Sequence, residues 1–539
     1  MSAAEELGRS ENAAGYLARA AAETPEAIAV HLARGGSISC GALHERTGRL
    51  AAGLRRLGVA PGDRVLLMVR PSIDFVAAAY AVMRLGATAV FIDPGLGRRH
   101  LLACAAEVKP RALVAVRLLH LLRALRPRAL ASVAISVSDG RWPGAVPLAS
   151  LRGDPPLYDD VPRDAADPAI ISFTTGSTGA PKGVVLPHGV LHAQVRAFRE
   201  LTRVERGDVV LAILPVMLLL APGLGCPVVL PELDASHPAR VDAAALARTI
   251  RRFGVTHSFG SPAVWRALVE AIESDAALTG ALATMRCLMM GGAPIDPTLL
   301  ARARALLGSG DAHTPYGATE AVPVTSATAE EILAEAARGP EGRGALVGRP
   351  LAGAEVRIVP LDDGPLAAGC PSVPRGEVGE IAVRGGVVSR GYFERPEADA
   401  LARIPDAAGE WHRMGDVGRL DAEGRLWFCG RKAERVESEG QVMHTACVEP
   451  LLAHEGALRV ALVGVGARPQ QRAVLVVEPA RRLGRSERRR VAEALLARAA
   501  ALGLPIRDVL WRRTLPVDAR HNAKVLRGEL ARWAATRLA

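Results

Sequence analysis

Apolar residues recur at helical spacing over residues 41–58, GALHERTGRLAAGLRRLG. The turn Ala60-Pro61-Gly62-Asp63 follows and leads into RVLLMV, an apolar run that predicts a strand. A helix near 73–85 and a strand near 88–92, TAVFI, come next. This alternation fills roughly 12–165 and recurs over roughly 205–330, which predicts parallel α/β architecture. The pattern changes at 345–430. There the short strands EVRIVPL, GEIAVRG and RLWFCG are separated by Gly, Asp and Pro, as in a smaller β-rich unit. After Gly430 mixed α/β patterning returns, with VALVGVG and AVLVVEP as strands and 484–503 as a helix. A boundary near 430–433 divides the chain into 1–430, with 345–430 as its β-rich part, and 431–539.

At 539 residues the chain is too long for one growing core, so two or more domains are expected. The apolar run Phe75–Ile92 carries Arg84, and Val216–Leu230 is broken by Pro222 and Gly225. Both predict buried core rather than membrane spans. The N-terminal stretch is polar, acidic and helix-prone, unlike a signal peptide. Seven cysteines (Cys40, Cys104, Cys226, Cys287, Cys370, Cys429 and Cys447) form no CxxC pair and no zinc spacing. They predict reduced, mostly buried thiols in a cytoplasmic protein.

The net charge of +11 is spread along the chain, with its densest cluster at Arg481–Arg490. Without interleaved aromatics or a groove-binding motif this predicts a solvated helix face, not a nucleic-acid surface. Only four residues are lysine: Lys109, Lys182, Lys432 and Lys524. Where arginine is the default, a retained lysine marks a need for a compact point charge.

Two of the four fall in candidate motifs. The strand AIISF runs into Thr174-Thr175-Gly176-Ser177-Thr178-Gly179-Ala180-Pro181-Lys182-Gly183. Glycines let backbone N–H groups approach an anion, hydroxyls add donors and Lys182 adds charge, so the loop predicts a phosphate cradle. Its spacing is not that of a Walker A loop.

This loop resembles the phosphate loop of the adenylate-forming superfamily, which includes acyl-CoA synthetases, peptide-synthetase adenylation domains and luciferases. The resemblance continues in order and covers about residues 15–535. Gly291-Gly292-Ala293-Pro294 resembles the segment lining the adenine pocket. Tyr316-Gly317-Ala318-Thr319-Glu320 resembles the motif whose Tyr stacks on adenine, whose Thr contacts the α-phosphate and whose Glu holds Mg²⁺. Asp416, in Met414-Gly415-Asp416, and Arg431 resemble the residues that bind the ribose hydroxyls. Lys524, within His521-Asn522-Ala523-Lys524, resembles the lysine that bridges substrate carboxylate and α-phosphate. The resemblance implies an α/β fold with a large N-terminal domain of packed sheets, a β-rich subdomain and a small mobile C-terminal α+β domain. It also implies ATP and Mg²⁺, with Lys524, Thr319, Glu320 and Lys182 in catalysis.

Within the superfamily, FGVTHSFGSPA, TPYGATEAVPVTSATAEEIL, WHRMGDVGRLDAEGRLWFCGRK and LPVDARHNAKVLRGEL resemble the β-lactone synthetases of bacterial long-chain olefin biosynthesis. That likeness implies a long-chain β-hydroxy acid as substrate, whose own hydroxyl displaces AMP, and other olefin-pathway enzymes as partners. Two departures bear on it. Glu437, Glu439 and Thr445 stand at positions where a CoA ligase carries a Lys-x-Gly-Gly stretch and a Pro, so a Glu in place of a Gly there is expected to obstruct pantetheine. Ala433 occupies the hinge position of Asp or Lys, which puts the usual domain rotation in question. The segment Leu214–Gly223 lacks the aromatic or His that relatives place at the acyl pocket, and reads equally as pocket wall or core. A CoA- or carrier-protein-dependent ligase shares every adenylation motif. A non-catalytic assembly component is the remaining class, against which the intact Lys182, Glu320, Asp416, Arg431 and Lys524 argue.

Overall fold

The computed structural model describes residues 11–174, 180–234, 240–518 and 524–538. Among these, two large sheets of fourteen and eight strands make up most of the molecule, with a three-stranded sheet near the C-terminus.

The eight-stranded sheet grows from the apolar runs read above. Thr88–Ile92 lies between Arg64–Met68 and Pro168–Thr174, parallel to both. Helices cover it, so its strands are apolar on both faces. Two helices in this part of the chain begin where a serine satisfies an orphan N–H. Ser39 Oγ accepts from Ala42 N at 3.3 Å before Cys40–Arg56, and Ser72 Oγ accepts from Phe75 N at 3.1 Å before Ile73–Arg84. The run Phe75–Ile92 is therefore a core helix followed by a core strand. Its Arg84 is fully buried, paired with Asp160 at 2.8 Å and donating to Leu157 O at 2.9 Å.

The larger sheet joins parallel strands His257–Gly260, Cys287–Met290 and Asp311–Ala318 to the antiparallel Ala321–Thr328. Beyond it, the strands of 345–430 continue the same hydrogen-bonded sheet through only two register pairs, Thr325 with Pro350 and Ser326 with Arg349. Their core of Ile358, Ile381, Val383 and Leu426 is shared with Ala321 and Val324 of the adjoining strand.

After Arg431 a hairpin, Val436–Ser438 with Gln441–Met443, precedes the sheet of Ala457–Val465, Arg472–Pro479 and Ile506–Trp511. Helices Arg485–Ala501 and Arg527–Leu538 pack on it. In the arginine cluster, Arg481 pairs with Glu487 and Arg489 with Glu493 on the exposed face. All seven cysteines are free thiols, five of them buried. Among the described residues no helix is long and apolar enough to cross a membrane.

Candidate active site

The two strands Asp311–Ala318 and Ala321–Thr328 meet in a turn that holds Thr319 and Glu320. The register shifts between Tyr316 and Ala318, which bends the strand end toward a cleft. Gly317 is required there, because a Cβ would stand 2.5 Å from Ala321 O. Tyr316, Thr319 and Glu320 all line the cleft.

Two tyrosines, of only five in the chain, bind the two candidate carboxylates. The Tyr316 hydroxyl donates to Asp416 Oδ2 at 2.6 Å, and the Tyr392 hydroxyl donates to Glu320 Oε1 at 2.9 Å. Asp416 and Arg431 face each other on the antiparallel pair Trp411–Leu420 and Leu426–Arg431, and their side chains pair at 2.7 Å. Burial pushes the Asp416 carboxyl above its ordinary range, against the pull of Arg431, the Tyr316 hydroxyl and Lys524. Arg431 is in turn held above its ordinary value, mainly by Asp416. Burial, reinforced by Asp416, raises the Tyr316 phenol, so it stays protonated and donates.

Lys182 opens the strand Lys182–Pro187, and its Nζ stands 4.6 Å from the centroid of the Tyr392 ring. A cation there faces the electron-rich surface of an aromatic ring. Lys524 comes from the far end of the chain and lines the same cleft. Its position is set by reciprocal bonds with Asp518. Lys524 N donates to Asp518 Oδ1 at 3.0 Å, and Asp518 N donates to Lys524 O at 2.9 Å. Gly292, Ala293 and Pro294 line the cleft opposite, with Gly292 at φ +85°. Thr174 ends its strand as the register partner of Lys182. Thr175, Gly176, Ser177, Thr178 and Gly179 lie outside the described residues.

The structure thus brings together Lys182, Gly292, Ala293, Pro294, Tyr316, Gly317, Thr319, Glu320, Asp416, Arg431 and Lys524 around one cleft. Three cations and two carboxylates converge from segments hundreds of residues apart in sequence. Such a site neutralises anionic charge and orients it. Among the described residues no cluster of three His, Cys, Asp or Glu side chains stands ready for a metal.

Two residues went unread in sequence. Tyr392 sits in Ser389-Arg390-Gly391-Tyr392-Phe393, and the signal was its rarity in an aromatic-poor chain. His412 lies behind it, with ring centroids 6.4 Å apart. Burial, with Arg403 and Lys182 nearby, pushes His412 down to about 3, so it is neutral at physiological pH.

The cleft continues into an apolar cavity, the whole enclosing about 3730 Å³. Leu214, Val216 and Leu219 line it, whereas Met217 and Leu218 are buried in the core. The segment read as either wall or core is both, because Val216–Leu224 forms a helix with one face to each. Glu437 and Glu439 do not line the cleft among the described residues. Glu437 accepts from Arg435 Nε at 2.7 Å, and Glu439 pairs with exposed Arg507 at 2.8 Å. Glu439 keeps a left-handed backbone, φ +48°, the conformation that favours glycine. In this arrangement both glutamates are paired with arginines. Ala433 lies in the turn Lys432–Glu434 and lines the cleft, while its neighbours Lys432 and Arg435 pair with Glu380 and Asp363.

A model of the AMP-binding enzyme family matches residues 17–393. The chain belongs to that family. This AMP-binding enzyme is 40% identical to an olefin beta-lactone synthetase of Stenotrophomonas maltophilia, covering 99% of each chain. It is 38% identical to an olefin beta-lactone synthetase of Xanthomonas campestris pv. campestris, covering 97% of each. Among solved structures it resembles an amide bond synthetase, McbA, from Marinactinospora thermotolerans. That likeness has a TM-score of 0.78 at 25% identity, over 97% of this chain and 99% of the other. The AMP-binding enzyme thus shares its fold with an amide bond synthetase over nearly its whole length.

Proposed function

We propose that this AMP-binding enzyme uses ATP to activate a long-chain β-hydroxy acid as an acyl-AMP, then closes it to a β-lactone. One observation carries the proposal: Lys524, Arg431, Lys182, Glu320 and Asp416 surround a single cleft that opens into an apolar cavity. Nearly full-length likeness to two olefin beta-lactone synthetases supports the second step.

The chemistry follows from charge. A substrate carboxylate oxygen attacks the α-phosphorus, the bond to pyrophosphate breaks and acyl-AMP forms. Two anions meet in that step, so cations must stand where charge develops. Lys524 provides a compact charge between carboxylate and α-phosphate, and Lys182 one at the phosphate loop. Tyr316 offers its ring to adenine, and Asp416 and Arg431 present an acceptor and a donor to ribose hydroxyls. Thr319 offers its hydroxyl to the α-phosphate. Glu320, steadied by Tyr392, would hold Mg²⁺, which supplies charge neutralisation at the phosphates.

In the second step the β-hydroxyl oxygen attacks the acyl carbonyl. The bond to AMP breaks, the four-membered ring closes and the hydroxyl proton leaves to phosphate or solvent. A hydroxyl already held beside the carbonyl replaces an external nucleophile. The deciding experiment is mass spectrometry after incubation with Mg-ATP and a 2-alkyl-3-hydroxy acid, with and without CoA. Lactone and AMP without CoA are expected. A thioester formed only with CoA would move the protein to the acyl-CoA ligases.

A further inference from the structure

The helix His188–Thr202 turns one face toward the apolar cavity. Leu191, Gln194 and Val195, at i, i+3 and i+4, line it. Gln194 is 4% exposed, and its side chain has no hydrogen-bond partner among the described residues. Its polar helix neighbour is different. His192 is bound on both ring nitrogens, by the Tyr16 hydroxyl at 2.6 Å and Glu11 O at 2.8 Å.

A buried carboxamide carries two donors and an acceptor, and buried polar groups in folded proteins are almost always paired. Here Leu191 and Val195 flank it, and Phe198 follows one turn on, so the helix offers it nothing. The open side is the cavity. A plain hydrocarbon filling that cavity would strip the amide of water and leave it unpaired. A bound acid bearing a hydroxyl would satisfy it instead.

The placement suits a polar group near the reacting end. Phe198 packs on Phe259 with ring centroids 5.9 Å apart. Phe259 in turn presses on Gly291, where a Cβ would stand 2.8 Å from its ring. Gly291 adjoins the Gly292-Ala293-Pro294 wall of the nucleotide cleft. One layer of aromatic rings therefore links the helix turn after Gln194 to the edge of the nucleotide cleft.

We infer that Gln194 hydrogen-bonds the hydroxyl of the bound acid and so selects hydroxylated over plain acyl chains. This rests on the proposed activation of a hydroxy acid and names the residue that reads the hydroxyl. Gln194 is a specificity residue: it positions the hydroxyl and breaks no bond.

The test compares pyrophosphate release from a 2-alkyl-3-hydroxy acid and its 3-deoxy analogue, in the wild-type chain and in Gln194→Met, a swap of similar volume. Wild type should favour the hydroxy acid by about tenfold in kcat/KM, the scale of one neutral hydrogen bond. In Gln194→Met that ratio should fall toward one, the loss appearing in the KM of the hydroxy acid. Gln194→Glu, which keeps an acceptor, should restore part of the preference. An unchanged ratio, or an equal loss on both acids, overturns the inference. Failure of the parent reading looks different: wild type would then yield a CoA thioester and no lactone, whatever the ratio.

Discussion

Tyr392 donates its hydroxyl hydrogen to Glu320 Oε1 at 2.9 Å, joining two residues from different sheets at the mouth of the cleft. Tyr392 pairs with the edge of the eight-stranded sheet, and Glu320 sits in a turn of the larger one. Lys182 stands over the same ring. One phenol thus sets the spacing between the candidate metal carboxylate and a candidate phosphate cation.

Tyr392→Phe removes the donor and keeps the ring. Supporting partners of a metal ligand are worth about 10–100-fold in metal affinity. The Mg²⁺ concentration giving half-maximal pyrophosphate release should therefore rise by about tenfold or more. An unchanged Mg²⁺ titration would refute the assignment of Glu320 to the metal.

Lys524→Ala should lower acyl-AMP formation by about 10²–10³, the cost of losing one well-placed charge at the transition state. Lys524→Arg should recover little, because a planar fork does not replace a point charge. Isotope exchange between pyrophosphate and ATP measures both. Full activity in Lys524→Ala would remove Lys524 from the chemistry, and full activity in Lys524→Arg would show that any cation serves there.

Glu380 is buried with Arg413, at 2.6 Å, and also accepts from Lys432 Nζ at 3.0 Å. Removing one partner of a buried pair costs about 3–5 kcal/mol, because the other charge is stranded. Glu380→Leu should lower the urea midpoint accordingly and loosen the link between the β-rich strands and the turn at Lys432. A midpoint within error of wild type would show the pair to be dispensable.

Acid should destabilise the fold through its buried histidines. Burial pushes His188 down to about 4 and His412 to about 3, from an ordinary 6.5. At His188 the neutral form is needed, since Nδ1 accepts from Ala13 N at 3.0 Å. The unfolded chain gains these protons near pH 6.5, and the folded chain does not. Their stabilising contribution is therefore complete above that pH and is lost as pH falls toward about 4 and about 3. Each should steepen the loss by about 1.4 kcal/mol per pH unit. Urea midpoints at pH 7 and 5.5 measure the slope, and His412→Gln should reduce it by one proton.

Much of this was legible from local pattern. TAVFI spans 88–92 as a strand in the structure too, and the helix read over 41–58 runs from Cys40 to Arg56, ending where Gly58 takes φ +100°. Period and turn chemistry act over a few residues, so they can be read there. The candidate residues were legible because adenylation uses short motifs in a set order. Tyr392 and His412 were not, because each matters only through a neighbour supplied by another strand.

The sequence by itself determined the elements, the family resemblance and the chemical types of the site: lysines kept in an arginine-rich chain, two carboxylates, a glycine-rich loop. Only the tertiary structure decided which of them meet. It placed Lys524 on the same cleft as Asp416, put Tyr392 on Glu320, turned Glu439 outward to Arg507 and left Gln194 facing the cavity. The physical reason is that charge neutralisation and hydrogen bonding act over a few ångströms, and only packing of distant segments brings such groups within that range.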